Sequence, residues 1–204
     1  MAVQHIAASE HDGHSSTGID NRKLFMWLFL GSDCLFFGSF IATYILYRGR
    51  DQVIGNPGPT PHDLFDIPYT SVSSFVLLMS SLTMVLALSA IQRGDVRALR
   101  IWLLCTALLG LTFLGGQFYE FSHFVHEGLT IRTNLFGTTF FVLTGFHGAH
   151  VAVGVLLLLS MFVLTSQGRI RQQHAMNIEL VGLYWHFVDV VWILIFTLIY
   201  LLPT

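Results

Sequence analysis

The chain has 204 residues, of which 53% are hydrophobic and 11% charged, with 18 phenylalanines and a formal net charge of −2. So few charges cannot cover a water-facing surface around so much apolar matter, which places the chain in a bilayer. The basic residues are dispersed rather than clustered, which excludes a nucleic-acid partner.

Residues 1–21 hold Gly13, Gly18, several serines and His5, His11 and His14, without an apolar signal core or a cleavage pattern. They read as a disordered cytoplasmic tail with solvated histidines. Five apolar segments follow: Leu24–Tyr47, Val72–Ile91, Leu99–Phe118, Leu135–Thr165 and Ile178–Leu202. Each reaches the roughly 20 helical residues that cross a hydrocarbon core of about 30 Å. The expected fold is an all-α, polytopic transmembrane bundle of five helices forming one membrane domain over 22–204. Between the first two spans, Arg48–Pro68 contains Asn56-Pro57-Gly58-Pro59-Thr60-Pro61, which forbids continuous helix. Cys34 and Cys105 lie in apolar runs with no partner at motif spacing and read as inert packing residues.

Charge sets the expected orientation. A cytoplasmic N-terminus puts Arg22, Lys23, Arg93, Arg97, Arg100, Arg169 and Arg171 inside, against Arg48, Arg50 and Arg132 outside. The expectation is a multi-pass membrane protein with its C-terminus outside; in a bacterial host the membrane would be the plasma membrane and the outer side the periplasm.

Ionisable residues inside the spans are costly and point by default into the bundle or a cavity. At about 1.5 Å per residue, Asp33 in the first span, His147 and His150 in the fourth, and His186 and Asp189 in the fifth reach one mid-membrane layer. Glu120 falls near the outer end of the third span. His147 and His150 are three apart on one helix face, which suits two ligands of a metal or two core histidines bonded to Asp33. His147 and His186 match in depth as axial ligands of a haem would. His186 and Asp189, again three apart, are placed to bond each other. Asp33 serves either as a way-station for protons or as a hydrogen-bond donor. A proton-coupled carrier using Asp33 and Asp189 is disfavoured because no internal repeat is visible. Small residues at four-residue spacing, Gly38/Ala42, Gly145/Ala149 and Gly148/Ala152, together with Ser73, Ser74, Ser80 and Ser81, mark faces where helices approach closely.

Four motifs carry a resemblance. GSDCLFF around Asp33, QFYEFSH around Glu120, FGTTFFVLTGFHGAHVAVG over Phe136–Gly154 and LYWHFVDVVWILIFTLIY over Leu183–Tyr200 occur in the order seen in subunit III of the haem–copper terminal oxidases. The chain resembles that family, which includes cytochrome c and quinol oxidases, from about Leu24 to its end.

The resemblance implies a non-catalytic core subunit of a bacterial aerobic oxidase whose complex reduces O₂ to water and translocates protons. It implies no metal or cofactor in this chain, with haems and copper in subunits I and II. Subunit I would be the main contact, beside subunit II, small accessory subunits or a supercomplex. Structural phospholipid in a cleft and support of proton uptake belong to the same implication. Asp33 takes the place of the family's intramembrane carboxylate, commonly Glu in the mitochondrial type, and Glu120, His147, His150, His186 and Asp189 fall on matching motif positions. Longer members have seven helices, and the two without a counterpart here form one wall of that cleft. The alternative reading is a membrane cytochrome with His147 and His186 as haem ligands.

Overall fold

The structure, a computed structural model, describes residues 20–48 and 66–201. The polar tail with its three histidines and nearly all of the proline-rich connection lie outside the described residues. The elements are α1 (Asn21–Tyr47), α2 (Ile67–Gln92), α3 (Val96–His126), α4 (Leu135–Ser166) and α5 (Ala175–Phe196). A 3₁₀ turn, Gln172–His174, leads into α5, and a π-helical turn, Thr197–Leu201, continues it. Five helices are thus long and apolar enough to cross a membrane. Among the described residues there is no β-strand element.

Local chemistry explains where these helices begin and end. Asp20, Asp66, Asp95 and Asn134 precede α1 to α4, and each side chain accepts a hydrogen bond from a backbone N–H of the first turn. Such caps satisfy donors that a helix start otherwise leaves unpaired. Gly94, Gly128 and Gly168 follow α2, α3 and α4 with φ of +76°, +88° and +73°. That left-handed step lets the next N–H reach back, as Asp95 N to Ala90 O does at 2.9 Å.

Helices α2 and α3 form the tightest antiparallel pair; α3 packs on α4, α4 on α5, and α5 returns to α2, closing a four-helix ring. Helix α1 lies outside that ring against α4 and α5. It buries one stripe, Leu30, Asp33, Phe37 and Tyr44, and leaves Phe25, Leu28 and Leu35 exposed. At one end, the Lys23 ammonium meets the Glu179 carboxylate at 2.6 Å and ties α1 to α5.

The centre of the ring is one side chain. Trp185 of α5 has no exposed surface, and its indole N–H donates to Ser80 Oγ of α2 at 2.9 Å. A methyl group added at Gly110 of α3 would stand 2.6 Å from the Trp185 ring, and one at Gly154 of α4 would stand 2.8 Å from it. The ring therefore fits only because two facing helices present bare backbone.

Two packing expectations need correction. Gly38 was expected to bring helices together, yet a Cβ there would meet nothing within 4 Å. In α4 the spacing does mark contact, since a Cβ on Gly148 would lie 2.8 Å from Gln117 Oε1. Cys34 was expected to be a packing residue, but it is exposed, because it points away from the single buried stripe of α1.

Gly110→Ala and Gly154→Ala are each expected to cost about 1–3 kcal/mol by overpacking the site. The thermal midpoint of the complex containing the chain measures this; an unchanged midpoint in both variants would contradict the packing.

Candidate functional site

The five polar residues expected at one level are divided among different helix faces. Asp33 on α1 is 7% exposed and faces His150 of α4 with Oδ2 and Nε2 3.7 Å apart. His150 Nδ1 lies 2.9 Å from the Phe146 carbonyl oxygen. A carbonyl only accepts, so Nδ1 carries a hydrogen and Nε2 is left to face the carboxyl. Tyr184 of α5 donates its hydroxyl to the His150 carbonyl at 3.0 Å, holding the same turn from the third helix. Beside this pair, α1, α4 and α5 enclose an open groove of about 440 Å³, walled by Phe25, Met26, Phe29, Val153 and Leu157, with His150 and Tyr184 as its polar edge.

His147, one turn away, points elsewhere. It is fully buried, with the Trp192 ring stacked on it at 4.9 Å and Phe113 edge-on at 6.0 Å. Among the described residues neither of its ring nitrogens has a hydrogen-bond partner, and each exposes less than 1 Å². No haem iron reaches such a nitrogen without displacing the aromatic wall, which argues against the His147/His186 ligand pair. His186 is turned toward α2, where its Nδ1 pairs with Ser81 Oγ at 2.7 Å. The expected His186–Asp189 bond is not made, because α2 packs on that face of α5 and offers Ser81 to the imidazole. Asp189 is 3% exposed; among the described residues neither carboxyl oxygen makes a well-formed hydrogen bond, and the Ser81 hydroxyl that pairs with His186 is also near enough to interact with it. Among the described residues no three His, Cys, Asp or Glu side chains stand close enough to hold a metal ion.

Glu120 forms a second centre. It is 8% exposed, and its Oε1 accepts from Thr70 of α2 at 2.8 Å and from the Tyr200 hydroxyl at 3.1 Å. In a regular helix Tyr200 would sit about 80° off the Trp192 line, eight residues on at about 100° each. The wider π turn underwinds the chain and brings Tyr200 back toward that line.

Several of these residues carry contacts that sequence reasoning missed. Ser74 and Ser80 were read as small packing residues, but they accept the Trp192 and Trp185 indole N–H groups, each at 2.9 Å. Gln117 donates to the Thr144 carbonyl at 2.8 Å and joins α3 to α4. The signal was present in the sequence: Trp185 and Trp192 are seven apart on α5, and Ser74 and Ser80 are six apart on the antiparallel α2.

A family model described as cytochrome c oxidase subunit III matches residues 4–203. The chain belongs to the cytochrome c oxidase subunit III family. A cytochrome c oxidase subunit 3 of Bacillus sp. (strain PS3) is 38% identical over 182 residues, covering 89% of this chain and 86% of that protein. A cytochrome c oxidase subunit 3 of Thermostichus vulcanus is 39% identical over 203 residues, covering 99% of this chain and 93% of that one. A probable quinol oxidase subunit 3 of Staphylococcus saprophyticus is 35% identical over 197 residues, covering 93% and 96%. Subunit III relatives thus carry both oxidase names at similar identity. Membership makes the chain a multi-pass membrane subunit of an oxidase complex.

Thr70→Val and Tyr200→Phe each remove one donor to Glu120. Each alone is expected to cost about 1 kcal/mol, and both together more than the sum, since a buried carboxyl is then left without either donor. Thermal unfolding of the complex bearing each variant measures this; simple additivity would show that the two hydroxyls do not share Glu120.

Proposed function

We propose that this chain is the non-redox third subunit of a bacterial aerobic terminal oxidase whose complex reduces O₂ to water and translocates protons. The observation that carries the reading is the match in order over nearly the whole chain, with Asp33, Glu120, His147, His150, His186 and Asp189 inside the matching motifs. Haems and copper belong to the partner subunits. The aromatic enclosure of His147 and the Ser81 bond of His186 support that division, because both imidazoles are committed to packing.

The partner contacts follow the same reading. Subunit I is the main contact, with subunit II, accessory subunits or a supercomplex beyond it. The exposed apolar side of α1 suits such a neighbour as well as it suits lipid. The groove beside Asp33 and His150 retains an acyl chain and shelters the pair, which in turn conditions proton uptake into subunit I. The chain lies in the plasma membrane with its N-terminus cytoplasmic and its C-terminus periplasmic. Arg22, Lys23, Arg93, Arg97, Arg100, Arg169 and Arg171 at one end of the bundle support that orientation. Residues 22–204 form the membrane domain, preceded by a polar tail.

In the assembled oxidase, Asp33→Ala and Asp189→Ala should leave the haem spectrum intact while shortening the number of turnovers before inactivation or weakening subunit retention. An optical spectrum and a turnover time course read both quantities. Loss of haem in either variant would overturn the division of labour.

A further inference from the structure

Away from the groove beside Asp33, the start of α2 and the last turns of α3 enclose a pocket of about 390 Å³ lined by Asp66, Tyr69, Tyr119, Glu120, His123 and Phe124. Two carboxyl groups line it, and among the described residues no Lys or Arg does. Glu120 is more than nine-tenths buried, and both hydrogen bonds it receives end on Oε1, leaving Oε2 without a protein donor among the described residues. Asp66 is oriented by its cap, accepting from Tyr69 N at 3.2 Å. Oε2 thus opens into the pocket beside a second carboxyl, an arrangement that suits a cation able to donate hydrogen bonds.

The walls say which kind. The Tyr69 and Tyr119 rings stand 5.8 Å apart, tilted by 55°, at the mouth of the pocket, and aromatic faces attract ammonium groups. Gly116 seats this wall, since a Cβ there would come within 3.3 Å of the Tyr69 hydroxyl. Among the described residues no three metal-ligating side chains converge, and the aromatic walls suit an organic cation. The pocket lies at helix ends, the level of lipid headgroups, where tyrosines gather. Below it the exposed side chains Val72 and Phe75 of α2 continue an apolar face, and at the rim His123 can meet an anion.

We propose that this pocket binds the headgroup of an ethanolamine phospholipid, with its primary ammonium on Glu120 and Asp66 between the two tyrosines and its phosphate toward His123. A quaternary choline head has no N–H to give to Oε2, and a glycerol head has no cation. Both should be rejected.

The test uses the intact complex containing this chain in nanodiscs doped with a photoactivatable phosphatidylethanolamine, or with the matching phosphatidylcholine or phosphatidylglycerol probe. Mass spectrometry should find the ethanolamine probe on the α3 segment that carries Tyr119 and His123. Labelling should fall about tenfold, the equivalent of one strong contact, in Glu120→Gln, Tyr119→Leu and Asp66→Asn. Asp66→Asn removes charge while keeping a good helix cap, and Tyr119 is exposed, so these two variants decide the matter if Glu120→Gln does not assemble. Equal labelling by all three probes, no labelling of that segment, or labelling unchanged in Asp66→Asn and Tyr119→Leu would overturn the proposal.

Discussion

The indole of Trp185 is the contact on which this bundle depends. In a bilayer the lipid tails are as apolar as leucine, so burying hydrocarbon gives helices little reason to associate; close packing and hydrogen bonds must do it. Trp185 supplies both. Its ring fills the space that Gly110 and Gly154 leave open, and its N–H ends on Ser80. One side chain thereby ties α5 to α2, α3 and α4 at once.

Fixing that indole fixes the rotation of α5 about its own axis. Trp192 then comes to lie on Ser74 and stacks on His147, His186 meets Ser81, and Tyr184 reaches the backbone at His150. The polar layer is therefore a consequence of how α5 is turned. Its members fall into separate environments: Asp33 and His150 at the α1 seam beside a groove, His147 in an aromatic enclosure, and His186 and Asp189 toward α2. A layer that commits its imidazoles this way suits the supporting role proposed for the chain.

Depth was legible in the sequence because it needs only counting along a helix of constant rise. The five spans follow from that alone, and the same counting is what assigns Asp33, His147, His150, His186 and Asp189 to one expected level. Apart from the spacing of Trp185 and Trp192 on α5 and of Ser74 and Ser80 on α2, direction around each helix was not legible. These helices are apolar on nearly every side, so periodicity does not mark the buried face as it would in water. Gly38 and Gly148 look alike in sequence, yet one opens to the outside and the other receives Gln117. Cys34 and the partner of His186 were misjudged for the same reason. The donors to Glu120 come from residues 50 positions before it and 80 after it, Thr70 and Tyr200. No local pattern reports such a meeting.

The most direct measurement of the central contact is a double-mutant cycle between Trp185→Phe and Ser80→Ala, read from the unfolding free energy of the complex in bilayers. If the indole N–H and Ser80 hold α5 to α2, the two losses overlap by about 0.6–1.7 kcal/mol, the range for hydrogen bonds between membrane helices. Losses that add without overlap would contradict the account and move the organising contact elsewhere in the bundle.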